Sequence, residues 1–115
     1  VQHIKKSMTV NYAKVIILGN DESEKEFLLH SLSETLMIET DKVKVSCYQR
    51  YALWLVRGKN YYGGADKAII LHGGKGKCVL DWHNEVRKSL GQEVSIYHLY
   101  GNKEQKLVSI ERILL

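Results

Sequence analysis

The sequence predicts an α/β domain built around a mostly parallel sheet. Two runs, Val15-Ile16-Ile17-Leu18 and Ala68-Ile69-Ile70-Leu71, are continuously apolar and closely followed by glycine, Gly19 in one case and Gly73-Gly74 in the other. Strands buried on both faces read this way, and they belong to parallel sheets flanked by helices. After each run comes a segment with apolar residues at helical spacing. The resulting order, β-α-β-β-β-α-β-α with buried strands in the first, fourth and fifth places, is that of an α/β chain.

The first strand is Val15 to Leu18. A helix is predicted over Ser23 to Leu36, where Leu28, Leu29, Leu32 and Leu36 share one side and Ser23-x-x-Glu26 fits a capping box. Val43, Val45 and Cys47 alternate with polar residues, so that strand is expected to have one wet face. Ala52 to Val56 follows as its hairpin partner through Gln49-Arg50 and ends at Arg57-Gly58-Lys59-Asn60. Beyond the strand Ala68 to Leu71, a helical stripe of Cys78, Val79, Trp82, Val86 and Leu90 ends at Gly91, a good C-cap residue. Val94, Ile96 and Leu99 form the fifth strand and lead into Gly101-Asn102-Lys103. In the tail, Leu107, Ile110, Ile113 and Leu114 favour a helix, with a strand as the alternative.

A length of 115 residues fits one domain. With 44% apolar and 26% charged residues the chain can bury a core, which excludes extended disorder. No apolar stretch approaches the roughly 20 residues of a membrane span, and Val1 to Asn11 lacks the apolar centre of a secretory signal. Cys47 and Cys78 make neither a disulfide framework nor a C-x-x-C pair, which points to a reducing, cytoplasmic setting. The excess of 17 Lys and Arg over 13 Asp and Glu is spread in scattered pairs rather than one stripe. Neither a nucleic-acid partner nor a stable membrane anchor is expected from it.

Four motifs stand in order along residues 13–107. Ala13-Lys-Val-Ile-Ile-Leu-Gly19 followed by Lys25 resembles the first strand and phosphate loop of Ras/Rab-type small GTPases. Tyr61-Tyr62-Gly63-Gly64-Ala65-Asp66-Lys67-Ala68-Ile69-Ile70-Leu71 is similar to that family's segment leading into its fourth strand. Trp82-His83-Asn84-Glu85-Val86-Arg87-Lys88 resembles its third helix, and Tyr100-Gly101-Asn102-Lys103 the start of its guanine-reading N-K-x-D motif. The resemblance implies a leader over 1–12 and, over 13–115, a degenerate small-GTPase-like domain with a three-layer P-loop fold. It also implies vestigial nucleotide-binding positions at Gly19, Lys25, Gly58, Asn102 and Lys103.

The chemistry of that family is altered at most of its key positions. A phosphate loop needs G-x-x-x-x-G-K-[ST], so that backbone N–H groups approach the phosphates, a lysine spans them and a hydroxyl holds Mg²⁺. Here the second glycine is Glu24 and the hydroxyl residue is Glu26. Asp21, Glu22, Glu24 and Glu26 against Lys25 set a local charge of about −3, each carboxylate–phosphate pair costing about 3 kcal/mol at ~5 Å and an effective dielectric of ~20. The same carboxylates suit the positive end of a helix.

The family's D-x-x-G aligns with Leu55-Val56-Arg57-Gly58, without the aspartate. Only Lys59 and Asn60 separate Gly58 from Tyr61, where the family carries its water-positioning glutamine. In Asn102-Lys103-Glu104-Gln105 the base-reading aspartate is Gln105. Thr35 and Thr40 both remain open as the first-switch threonine.

The chain ends about one helix after the N-K motif, so the resemblance implies a domain lacking the family's last strand and helix. That would bare an apolar strip of sheet beside the first helix, for a protein partner or a second copy to cover. The strand bearing Val43 and Val45 is expected at the sheet edge, as the docking strand.

Other constellations carry less. The histidines His3, His30, His72, His83 and His98 show no metal-ligand spacing, and Gly73-Gly74-Lys75-Gly76-Lys77 reads as a flexible loop rather than a phosphate cradle. The two cysteines read as apolar filler. The expected function is thus a pseudo-GTPase acting as a protein-binding scaffold or regulatory module, with no catalytic residue, metal or cofactor. The alternative is a weak GTP-binding protein using GTP or GDP and Mg²⁺, with slow or partner-assisted hydrolysis.

Overall fold

β1 (Ala13–Leu18) and β5 (Ala65–Leu71) grow from the two apolar runs and lie side by side in the interior of one six-stranded sheet in the computed structural model, which describes residues 11–115. Most of the expected leader, with His3, lies outside the described residues. The other strands are β2 (Thr35–Glu39), β3 (Val43–Tyr48), β4 (Tyr51–Val56) and β6 (Ser95–Leu99). Three helices complete the fold: α1 (Glu22–Leu32), α2 (Val79–Leu90) and α3 (Lys103–Ile113). A 3₁₀ turn, Lys59–Tyr61, follows β4.

The strand order is β2-β3-β4-β1-β5-β6. β1 pairs in parallel with β4 and β5, and β5 with β6, but β2–β3 and β3–β4 are antiparallel. The sheet is therefore mixed, and the mostly parallel small-GTPase-like sheet expected from the motifs is not the one formed. The physical reason is loop length. The turn at Gln49-Arg50, with Gln49 at φ 55°, and the short link from Glu39 to Val43 can only reverse the chain, because a parallel crossover needs a dozen residues or more.

The predicted helix over Ser23 to Leu36 is cut short. The Ser33 N–H closes on the Leu29 carbonyl, Ser33 itself turns to φ −64°, ψ 125°, and the chain continues into β2. Leu36 thus leaves the helical stripe and lies on an edge strand. The Ser23/Glu26 capping box does not form either. Asp21 is the N-cap, accepting from the Glu24 N–H at 3.1 Å, while the Ser23 hydroxyl donates to the same carboxylate at 2.8 Å.

Alternation along the strands divides the core in two. On one face Val15, Ile17, Leu53, Leu55, Ile69, Leu71 and Leu99 pack under Leu28, Leu29 and Leu32 of α1 and under Ile110 of α3 and Leu114 beyond it. On the other, Ile16, Leu18, Val45, Ala68 and Ile70 meet Val86 of α2 and Tyr62. Two further expectations change here. The sheet strip beside α1 is not bare, because α3 follows β6 directly and lays Ile110 across it. The strand with Val43 and Val45 is not the edge: β2 covers it, and both valines are buried.

Candidate functional site

The loop from β1 to α1 is where the vestigial phosphate site was expected, and each of its groups has a structural partner. Gly19 follows β1 and packs against the end of β5: a Cβ there would lie 3.1 Å from the Leu71 Cβ and 3.3 Å from its carbonyl oxygen. Strand packing thus favours a residue without a side chain here. Asn20 reaches across to the loop before α2, donating to the Lys77 carbonyl at 2.6 Å and accepting from the Lys77 N–H at 3.1 Å. Gly74 and Gly76, both at positive φ, lie against Asn20, so the glycine-rich segment expected to be flexible is anchored to the β1–α1 loop.

Lys25 is buried with only 4% of its surface exposed, and its ammonium meets Glu22 at 2.8 Å. The other acidic residues are answered from farther along the chain. Glu24 pairs with the buried Lys106 of α3 at 2.8 Å, and Glu26 pairs with Lys44 of β3 at 2.8 Å. The expected charge of about −3 is therefore only partly offset: Lys106 and Lys44 fold back onto this helix turn, and Lys44 is shared with Glu39 at 3.3 Å. Backbone donation from Glu24 and then the Ser23 hydroxyl hold the Asp21 carboxyl below its ordinary value. The Glu26 hydrogen bond raises Lys44.

A cleft of about 380 Å³ opens beside this loop. Gly19, Lys25, Arg57 and Gly58 line it together, with Tyr62, Lys77, Trp82 and Glu85 forming the far wall. Gly58 is extended, and a Cβ there would meet nothing within 4 Å, so the backbone does not demand glycine at this position. The far wall is a polar cluster: the Tyr62 hydroxyl donates to Glu85 at 2.8 Å, and Lys77 bonds the other Glu85 oxygen while lying 4.3 Å above the Trp82 ring. Burial pushes the Glu85 carboxyl up, but donation from Lys77 and Tyr62 outweighs it and holds the group low; burial and then Glu85 push the Tyr62 phenol up. The Trp82 indole N–H is buried in this wall without an acceptor.

Asn102 and Lys103 are absent from that cleft. Asn102 caps α3, accepting from the Gln105 N–H at 2.8 Å while its own N–H donates to the Gln105 side chain at 2.8 Å. The residue standing where a base-reading aspartate was expected therefore completes a capping box. Lys103 lies 4.5 Å above the Phe27 ring, fastening α3 to α1. Gly101, at φ +93°, gives the Gln105 side chain its room.

Sequence reasoning passed over Lys106, a lysine on what reads as the polar side of a tail helix. It also treated the histidines singly, whereas His72, His83 and His98 meet in one chain of hydrogen bonds. Neither gathering has a signal in local spacing. Among the described residues no group of three or more His, Cys, Asp or Glu converges as a metal site, and no helix is long and apolar enough to cross a membrane. No protein-family model matches the chain, and no curated protein matches it.

Proposed function

We propose that this chain is a protein-binding module, in the manner of a Ras/Rab-like pseudo-GTPase, that neither holds nor hydrolyses GTP. The observation that carries this reading is the engagement of the β1–α1 loop by the protein's own groups. Lys25, the only cation of the expected phosphate loop, is buried against Glu22, and the amide of Glu24 already has an anion in Asp21. A triphosphate would have to displace both, without a hydroxyl at position 26 for the metal. Asn102, likewise, would have to surrender its cap.

The β2 edge supports the protein-binding half. Leu36, Met37 and Ile38 stand exposed in succession on the outermost strand. An apolar edge of this kind is an association surface. The partner class is a protein offering an apolar strand or groove, and a second copy of the chain is the simplest such partner. The setting proposed is cytoplasmic, consistent with two free cysteines.

Titration calorimetry with GTP and Mg²⁺ tests the reading. No heat of binding is expected with the nucleotide at tens of micromolar. Micromolar or tighter affinity overturns the proposal in favour of a GTP-binding protein acting through Gly19, Lys25, Asn102 and Lys103.

A further inference from the structure

His72 follows β5, His98 lies on β6 and His83 lies on α2, yet the three rings form a single line. His72 Nε2 is 3.0 Å from His98 Nδ1, and His98 Nε2 is 2.8 Å from His83 Nδ1. Both nitrogens of the central ring are thereby committed, one to each neighbour.

Proton counting restricts what this line can hold. A neutral imidazole has one N–H and one acceptor nitrogen. Three neutral rings bring three protons: one in each N···N contact, and one on an outer nitrogen, either His72 Nδ1 or His83 Nε2. A fourth proton fits, because the second outer nitrogen takes it and both contacts survive. A fifth does not fit, since it sets two N–H groups against each other across a hydrogen-bond distance.

We propose that this line is a proton-operated latch. It ties the first turns of α2 to the ends of β5 and β6 while it holds at most one extra proton, and a second extra proton opens it. The line walls a pocket of about 370 Å³ that Val79, Leu80 and Tyr100 also line, the last two exposed on its rim, and this pocket widens when the latch lets go.

The surroundings favour the neutral latch. At the His72 end, the Lys106 ammonium of α3 donates to the His72 carbonyl and is itself paired with Glu24 of α1. Tyr100 lies against the His72 ring with centroids 3.9 Å apart, and the His83 and His98 rings are nearly coplanar in orientation, 15° apart. The only histidine–carboxylate ion pair among the described residues, His30 with Glu26, is elsewhere. Burial and then the Lys106 charge lower His72; burial, then His83 and His72, lower His98. Groups held below their unfolded value of about 6.5 contribute stability that is present above that pH. It is lost as pH falls through the folded values, so the latch is closed at neutral pH and opens in mild acid.

The test is NMR of the whole chain, following imidazole ¹⁵N shifts and amide exchange from about pH 7.5 to about 4.5, the range in which histidine titrates. Couplings across both N–H···N contacts are expected at neutral pH, and the first proton leaves the α2 opening constant, exchange divided by the intrinsic rate at each pH, unchanged. Once the second proton binds, the opening constant of the first turns of α2 rises about tenfold per unit fall in pH, while the opening constants of β1 and β4 amides hold. His98→Phe removes that step. Three rings titrating independently without cross-contact coupling, or an α2 step that survives in His98→Phe, overturns the latch. Should His98→Phe fail to fold, His83→Phe on the helix and the couplings in the unaltered chain decide between the same two outcomes.

Discussion

Lys106 Nζ lies 2.8 Å from Glu24 Oε1, joining two residues 82 positions apart. Their side chains are 2% and 15% exposed. Through this pair α3 is bolted to the first turn of α1, and through the His72 carbonyl the same ammonium reaches the end of β5. One lysine thus closes the end of the sheet where the β1–α1 loop sits.

Removing half of that pair should be expensive. Lys106→Ala leaves Glu24 charged in a largely desolvated place and is expected to cost about 3–5 kcal/mol. Replacing both partners by Met and Leu should recover most of the loss, since an apolar pair of similar volume needs no desolvated charge. Urea midpoints of the three proteins check this, and an unchanged midpoint for Lys106→Ala would show that the pair contributes nothing.

Gly19→Ala separates packing from ligand binding. The added methyl presses on Leu71 at the β1–β5 contact, for an expected loss of about 1–3 kcal/mol in the absence of any nucleotide. If thermal unfolding of the variant matches that of the parent, the glycine is not there for the strands.

Acid sensitivity of the first helix should trace to Asp21. Its carboxyl is held below the ordinary value, so its contribution is present above an unfolded pKa of about 3.9 and is lost as pH falls through the lower folded value. Asp21→Ala is expected to cost about 1 kcal/mol at neutral pH. The gap between variant and parent should close at the acid end of a pH series of urea titrations. A gap that persists there assigns the loss to something other than the ionised cap.

On β2, charge should abolish association while sparing the fold. The double variant Leu36→Glu, Ile38→Glu alters only exposed side chains, so stability should move by no more than about 0.5 kcal/mol per site. In sedimentation equilibrium the parent is expected to gain mass with concentration and the double variant to stay monomeric. A parent that remains monomeric throughout removes the second copy as the partner.

Much of the scaffold was legible because it depends on local pattern. The runs at Val15 and Ala68 became the central strands, Gly91 ended α2 at φ 83°, and Gln49-Arg50 made the hairpin turn. Reading failed at Leu36, where apolar residues at helical spacing continued past the last helical turn. The chain turned outward at Ser33, and pairing with β3 gave Thr35, Leu36, Ile38 and Glu39 partners along one side. The candidate site was legible in composition but not in charge: Asp21, Glu22, Glu24 and Glu26 are visible at once, while Lys44 and Lys106, which answer two of them, lie 18 and 82 residues away from their partners.

By itself the sequence determined which segments could be helix or strand, since side-chain periodicity and turn residues act over a few positions. It also determined that Glu26 and Gln105 stand at the positions where the resemblance would call for a metal-holding hydroxyl and an aspartate, which are matters of residue identity. Only the tertiary structure decided the pairing of β2 with β3, the covering of the sheet by α3, the partial neutralisation of the acidic turn and the joining of three histidines. Those outcomes depend on distances between residues remote in the chain, and packing sets such distances, whereas spacing along the backbone does not.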